Sequence, residues 1–373
     1  MRRTEPLRSF RSSLVVMIGT DSHKRTHTVV ALDDIGRRLG ELTVAAATDG
    51  HLKLLAWSRN WDEVSFALED CRHLTRRLER DLLRAGARVV RVPTRLMAGA
   101  RRGGREPGKS DPIDAEAVAL AALRHDGLPI AELDGPAREV RLLVDHRRDL
   151  VAERTRIQSR LRWYLHELDP TLAVPSRGLR RFCVMDSLAE LLAERDGVLA
   201  RVSREQLARC RELTVQINQL ERELRTLMRR LAPTLLALPG CGVLSAATLF
   251  AETAGARRFR SNDAYARFTG TAPIPVWSGN TAGKVRLNRG GNRTINCALH
   301  MIALTQTRGI GPGAAYVEKL LAAGKTRTEA LRLLRRRLSD AVFAALRADE
   351  PPAAARSCVP TTTSTGSELP DAA

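Results

Sequence analysis

The sequence predicts two fold classes in one chain: an α/β domain followed by an all-α region. Between residues 14 and 124, short β-branched runs alternate with helix-forming stretches. From Pro136 to Leu231 almost every stretch favours helix, and apolar residues recur there at heptad spacing. Alternating strands and helices are typical of a sheet covered by helices, and heptads are typical of paired long helices.

The N-terminal part is predicted to form a mixed sheet of five strands, the first three in a meander. Their predicted ranges are 14–19, 27–32, 42–46, 63–68 and 88–92. Helices are expected over residues 50–59 and 73–85. A basic, glycine-rich loop over residues 101–109 leads to a further helix, with Asp111 as the predicted N-cap and Pro112 in the first helical position.

The middle of the chain is predicted to form long helices interrupted near Pro170 and Pro175. The heptad positions of the second helix are Leu213, Ile217, Leu220, Leu224, Leu227 and Leu231. This seam favours either a coiled coil that joins two copies of the chain or a helix pair within one copy, and the pattern does not separate the two.

These patterns give five predicted segments. They are a basic N-terminal arm (1–13), the α/β domain (14–130), a helical or coiled-coil region (136–231), a C-terminal helical domain (232–347) and a disordered tail (348–373).

The charge balance favours a polyanionic partner. The chain has 61 basic and 42 acidic residues, a net charge of +19, and cations near phosphates displace condensed counterions. The alternative is a highly charged surface without such a partner. The six cysteines and eight histidines show no zinc-like spacing. No apolar run is long enough for a membrane span, so we expect a cytoplasmic, nucleoid-associated protein of a prokaryote.

Four carboxylates are candidate metal ligands. Asp21 and Glu69 each follow a predicted strand, and Asp111 and Asp114 lie three apart at a helix start. Oxygen ligands of this kind suit two Mg²⁺ ions, which can stabilise the attacking and leaving oxygens of a phosphodiester. The alternatives are a helix-capping role for Asp111 and Asp114 and a solvated turn at Glu69.

Two further segments are candidate nucleic-acid contacts. Residues 238–247 (LPGCGVLSAA) have the pattern of a helix-hairpin-helix element, in which Gly240 and Gly242 leave backbone N–H groups open to a phosphate. A turn with only a packing role is the alternative. In the loop-like stretch 271–291, Ser278 is a candidate nucleophile, although most Ser-Gly pairs are turns. The basic residues that follow it are Lys284, Arg286, Arg289 and Arg293.

Together these motifs resemble the DEDD transposases of the insertion sequence IS110 family. The N-terminal likeness lies in Ile18–Lys24 (IGTDSHK), Leu68–Asp70 (LED) and Lys109–Ala115 (KSDPIDA). The C-terminal likeness lies in residues 238–242, 272–273, 278–279 and 289–293. Each motif is weak alone and the set is specific, over about residues 14–347.

The resemblance implies an RNase H-like, RuvC-like fold for the first domain and a serine transposase domain at the C-terminus. Asp21, Glu69, Asp111 and Asp114 would be the carboxylate tetrad. Ser278 would form a covalent phosphoserine link to DNA, which a 3′-hydroxyl then resolves. Neighbouring hydroxyls at Ser261, Thr271 and Thr281 are competing candidates.

The resemblance also implies partners: donor and target DNA, a structured non-coding bridge RNA, and further copies of the chain in a dimer or dimer of dimers. In that assembly the serine domain of one subunit can complete the carboxylate site of another. Two other functions compete with this one: a RuvC-like nuclease that hydrolyses DNA with water, and a non-catalytic nucleic-acid-binding protein.

Overall fold

The computed structural model describes residues 15–94, 96–97, 110–125, 127–133, 135–172, 174–281, 285–288 and 290–351. The chain divides into two compact units, Met1–Asp134 and Gly135–Ala373. The predicted N-terminal arm, the basic loop over 101–109, nearly all of the predicted tail, and the candidates Lys284 and Arg289 lie outside the described residues.

The first unit contains the expected mixed sheet. Its strands are β1 (Val15–Ser22), β2 (Thr26–Leu32), β3 (Arg38–Ala45), β4 (Glu63–Glu69) and β5 (Arg88–Val92). Their order is β3-β2-β1-β4-β5. The strands β1 to β3 form an antiparallel meander, and β4 and β5 continue the sheet in parallel. The mixed sheet predicted from the sequence is confirmed.

Among the described residues, the helices that cover the sheet include α1 (Thr48–Ser58), α2 (Arg72–Arg84) and α3 (Asp111–Arg124). Successive side chains of a strand point to opposite faces. Ile18 accordingly packs with Leu54 of α1 and Leu78 of α2, and Met17 packs with α3 through residues such as Val118. The sheet therefore has α1 and α2 on one face and α3 on the other.

The start of α3 corrects one prediction. Ser110, not Asp111, is the N-cap, and its side chain accepts a hydrogen bond from the N–H of Ile113. Asp111 is the first helical residue, with Pro112 after it. Serine and aspartate are about equally good N-caps, and proline is tolerated throughout the first turn, so the sequence did not distinguish the two positions. The carboxylate of Asp111 is consequently not used in capping.

The second unit is almost entirely helical. Its helices are α4 (Pro136–Leu168), α5 (Phe182–Ala193), α6 (Val198–Leu231), α7 (Pro233–Leu236), α8 (Val243–Thr253), α9 (Asn262–Phe268), α10 (Arg293–Gln306), α11 (Gly313–Ala322) and α12 (Arg327–Asp349). Two short strands, β6 (Ile274–Pro275) and β7 (Val285–Arg286), pair as an antiparallel hairpin.

The two long helices α4 and α6 pack along each other within the chain. Leu213 and Ile217 of the heptad seam are buried there against Leu150. Arg147 on α4 forms an ion pair with Glu221 on α6 at 2.5 Å. At least this part of the seam is therefore covered by the chain's own α4, and pairing between two copies stays a prediction.

The far ends of both long helices belong to the main core of the unit. Val140 of α4 and Met228 of α6 are fully buried in one cluster with Tyr265, Ile295 and Phe343. The helical middle and the C-terminal helices therefore share a core. Among the described residues, no helix is both long and apolar enough to cross a membrane.

Candidate active site

The sheet places Asp21 and Glu69 at the same edge. The strands β1 and β4 are parallel, with Thr20 opposite Leu68, so Asp21 and Glu69 take the next position on each strand. The side chain of Asp21 points to the α3 face of the sheet and is 15% exposed. The two strand ends that carry these carboxylates are therefore neighbours in the sheet.

The first turn of α3 meets this edge. Gly19, two residues before Asp21, allows β1 and α3 to approach so closely that a Cβ at this position would lie 2.1 Å from the Ala115 carbonyl oxygen. That contact brings Asp111 and Asp114 towards Asp21. Asp114 is buried, with 7% of its surface exposed.

His23 joins two of these carboxylates. Its Nε2 lies 3.1 Å from Oδ2 of Asp21 and 3.4 Å from Oδ1 of Asp111. Ligand atoms of Asp21, His23 and Asp111 all lie within 4.8 Å of one another. Among the described residues, this is the group whose geometry suits a metal ion.

Electrostatics link Asp114 to the same site. Burial raises the pKa of Asp21, and the negative charges of Asp114 and Asp111 raise it further, while His23 opposes the shift. The charges of Asp111 and Asp114 therefore make ionisation of Asp21 less favourable. A bound cation relieves such repulsion, and hard carboxylate oxygens are the ligands that Mg²⁺ prefers.

Glu69 lies on the strand beside Asp21 but is not part of the close group of Asp21, His23 and Asp111. Burial raises the pKa of the Cys71 thiol, and the charges of Glu69 and then Asp21 add to the shift. Both strand-end carboxylates are therefore close enough to Cys71 to affect the pKa of its thiol. The structure brings Asp21 and Asp111 together around His23 and leaves Glu69 on the adjacent strand end.

His23 is the residue of the site that sequence reasoning missed. From the sequence, the histidines were assigned no role because their spacing does not suit zinc. The available signal was its position two residues after Asp21, since residues i and i+2 of an extended segment point to the same face.

Ser278 lies in the second unit, between β6 and β7, and its side chain is exposed. It precedes a single 3₁₀ turn over Gly279–Thr281. The sequence predicted an irregular loop here, whereas the structure shows a short hairpin with Ile274 opposite Arg286.

Both ends of this hairpin are held at one point. Gly270 and Gly291 have positive φ values of 72° and 85°, and a Cβ on Gly291 would lie 2.6 Å from the Gly270 nitrogen. The N–H of Asn292 donates to the carbonyl of Phe268 at 2.7 Å. The segment that carries Ser278 therefore leaves and re-enters the helical core at the same place.

The candidate backbone contacts lie on two turns. Gly240 has φ +79°, and Gly242 is the N-cap of α8, where no side chain caps the helix. The first N–H groups of α8 are thus not used by a capping side chain, as a phosphate site requires. Arg286 is exposed on β7, and Arg293 is the first residue of α10.

Comparison with known proteins identifies the family. The model of the IS110-type DEDD transposases matches residues 18–170, and the model described as "Transposase IS116/IS110/IS902 family" matches residues 232–318. The chain belongs to the IS110 family of DEDD transposases. The first match includes Asp21, Glu69, Asp111 and Asp114, and the second includes Ser278.

Relatives of similar length are encoded by insertion elements. The 42 kDa protein of insertion element IS900 from Mycobacterium paratuberculosis is 28% identical, over 89% of this chain and 96% of the relative. The 44.8 kDa protein of insertion element IS116 from Streptomyces clavuligerus is 27% identical, over 89% of this chain and 94% of the relative. The family assignment makes this chain an insertion-sequence transposase, an enzyme that acts on DNA.

A solved structure also resembles part of the chain. T. thermophilus RuvC in complex with a Holliday junction substrate matches 31% of this chain and 99% of the RuvC chain, with 15% identity and a TM-score of 0.26.

Proposed function

We propose that this IS110-family transposase cuts and rejoins DNA through a metal-assisted serine nucleophile. The observation that carries the proposal is the convergence of Asp21, His23 and Asp111 within 4.8 Å, with Asp114 close enough to affect the pKa of Asp21. Such crowding of carboxylates is unfavourable unless a cation is bound.

Asp21, Glu69, Asp111 and Asp114 are the proposed Mg²⁺ ligands, for two ions in each active site. When bound, Mg²⁺ supplies Lewis-acid stabilisation of the charge that develops on phosphate oxygens. His23 orients Asp21 and Asp111 through its Nε2 contacts. Asp114 is buried in the first turn of α3, which limits the space in which its carboxylate can move.

Ser278 is the proposed nucleophile. Its Oγ forms a bond to phosphorus, the bond from phosphorus to the 3′-oxygen breaks, the serine proton passes to water, and the leaving oxygen takes up a proton. The product is a phosphoserine link to DNA. The 3′-hydroxyl of another strand then attacks the same phosphorus and restores the serine hydroxyl, so the exchange needs no external energy source.

Further proposed contacts hold the DNA backbone. Gly240 and Gly242 offer the N–H groups at the start of α8, and Arg286 and Arg293 flank the hairpin that carries Ser278. Lys284 and Arg289 are included in this set because of their positions in the sequence.

A structured guide RNA and a homo-oligomeric assembly are also part of the proposal. The net charge of +19 supports binding of two nucleic acids at once. Recombination by the purified protein should depend on the non-coding RNA of its own element, and equal recombination without RNA would show that guidance is wrong.

The test of the serine step is the trapping of a covalent protein–DNA product. We expect a Mg²⁺-dependent adduct with the wild-type chain and none with Ser278→Ala, while Thr281→Val, three residues along the hairpin, still forms the adduct. If Ser278→Ala cuts DNA normally, the chain is a nuclease that uses water, and the serine mechanism is wrong.

A further inference from the structure

Three arginines converge where α10 begins. The Nη1 of Arg335 on α12 donates to Oδ1 of Asn296 on α10 at 2.9 Å. Arg332 lies one turn before Arg335, and Arg293 lies one turn before Asn296. Residues three apart on a helix share a face, so Arg332 lies beside Arg335 on α12 and Arg293 lies beside Asn296 on α10.

The charges that act on Arg335 are those of other arginines. Burial lowers the pKa of Arg335, and the charges of Arg332 and Arg293 lower it further. The Nε of Arg335 is buried and has no hydrogen-bond partner within the described part of the chain. No carboxylate of the described residues forms an ion pair with any of the three arginines, and the N-terminal end of α10 adds a partial positive charge.

The neighbouring arginine on the same helix behaves differently. Arg336 is paired with Asp340, and its Nη2 lies 2.6 Å from Oδ1 of Asp263. The chain therefore pairs Arg336 with two carboxylates, whereas Arg335 has no ion pair among the described residues and Arg332 has only the charge of Glu329, one turn before it, nearby. Arg335 is half-buried, while Arg293 and Arg332 are exposed beside it, and a partly buried charge is costly unless an anion pairs with it.

The arginines lie at the base of the Ser278 hairpin. The Nδ2 of Asn296, which holds Arg335, also donates to the carbonyl of Thr269 at 3.0 Å. That carbonyl adjoins Gly270, where the two ends of the hairpin cross. The position of Arg335 is thus fixed relative to the segment that carries the proposed nucleophile.

We propose that Arg293, Arg332 and Arg335 form a binding site for a backbone phosphate of the DNA strand that Ser278 attacks. Guanidinium groups donate two parallel hydrogen bonds to phosphate oxygens, which fixes orientation as well as position. The proposal rests on the proposed function for the identity of the strand. Arg332 and Arg335 lie well beyond the motif that contains Arg293, so the motif alone does not indicate them.

The first test is the salt dependence of binding to double-stranded DNA that carries the element's end, measured with the full-length chain. Arg335→Gln and Arg332→Gln should each weaken binding and reduce the slope of log K against log salt by about 1. The matched control Arg336→Gln removes the same charge from the same helix and should leave the slope unchanged. Unchanged slopes in both test variants would overturn the site.

The second test is the melting temperature of the free protein. Arg335→Gln should raise it, because repulsion among the arginines is relieved, whereas an arginine with only a structural role would lower it. The proposal is contradicted if Arg335→Gln lowers the melting temperature and Arg332→Gln leaves the salt slope unchanged.

Two further measurements distinguish the phosphate site from the serine mechanism and DNA from RNA as its ligand. Binding is measured in a Ser278→Ala background, so the phosphate site is tested even if Ser278 is not the nucleophile. The same variants are titrated with the element's non-coding RNA. A reduced slope for RNA but not for DNA overturns the assignment to DNA.

Discussion

His27 is a buried histidine on the face of the sheet opposite Asp21. Its ring stacks on that of His51 with centroids 5.4 Å apart, and Nδ1 of His51 lies 2.7 Å from Oδ2 of Asp81. Burial, and then the charges of His51 and His23, lowers the pKa of His27 from 6.5 to about 4. The folded chain therefore keeps this imidazole neutral.

The stability of the fold should depend on pH through His27. Below pH 6.5 the imidazole of His27 binds a proton in the unfolded chain, whereas in the folded chain it stays neutral until the pH approaches about 4. Stability therefore falls as the pH drops through this window, by about 3 kcal/mol in total. Urea unfolding of wild type and His27→Leu at neutral pH and at about pH 4.5 should show a smaller pH effect in the variant. The exposed His73→Leu is the control, and equal pH effects in all three proteins would contradict the assignment.

Asp114 tests the metal site independently of catalysis. Because a ligand that binds only the folded state raises its stability, Mg²⁺ should raise the melting temperature of the wild-type chain. Asp114→Asn should melt at or above the wild-type temperature without metal, since repulsion of Asp21 is relieved, and should gain less from Mg²⁺. Glu63→Gln, at the other end of β4, removes the same charge and should respond like wild type. A full Mg²⁺ response in Asp114→Asn would exclude this carboxylate as a ligand.

At this scale the sequence indicated which carboxylates to examine but not their contacts. The alternation of strands placed Asp21 and Glu69 at strand ends. It gave no reason to connect His23 with Asp111, because that contact depends on how α3 packs on β1. The N-cap was assigned to the wrong neighbour because Ser110 and Asp111 are both good caps.

At the scale of elements, the approach of β1 to α3 is the contact that assembles the site. A methyl group on Gly19 would overlap the Ala115 carbonyl and would lie 2.5 Å from the Ala119 nitrogen. We expect Gly19→Ala to destabilise the fold by about 1–3 kcal/mol or more and to weaken Mg²⁺ binding, because α3 must move away. Gly135→Ala is the control, since no atom lies within 4 Å of its added Cβ. A variant of Gly19 with unchanged stability and metal affinity would show that α3 does not set the site.

Regular elements were predicted more successfully than irregular ones. The five strands and the long helices carry periodic apolar patterns, and the structure contains them all. The hairpin of β6 and β7 was missed because each strand has two residues, which is too short for a pattern. Its shape depends on Gly270 and Gly291, whose crossing joins positions distant in sequence.

At the scale of the whole molecule, DNA binding and DNA cleavage should differ in their dependence on metal. The net charge of +19 is independent of metal, whereas the carboxylate site requires it. Removal of divalent metal with a chelator should therefore abolish cutting and leave DNA binding largely intact, as measured by an electrophoretic shift and by strand cleavage on one substrate. Cutting that continues in the chelator would exclude a metal-dependent site.

The pairing of the long helices also belongs to this scale. The heptad pattern predicted a seam but could not say whether its partner was α4 or a second copy of the chain. Leu213 and Ile217 are buried against α4, and a pattern of apolar spacing carries no information on which chain supplies the partner.

The crossing of Gly270 and Gly291 has a consequence for how such enzymes diversify. A loop whose ends are already joined loses little more entropy when residues are added between them. The stretch from β6 to β7 can therefore vary in length and sequence while the helices below keep their packing. It is the natural place to graft the equivalent segment of a relative, as a module that carries its own serine and leaves the scaffold unaltered.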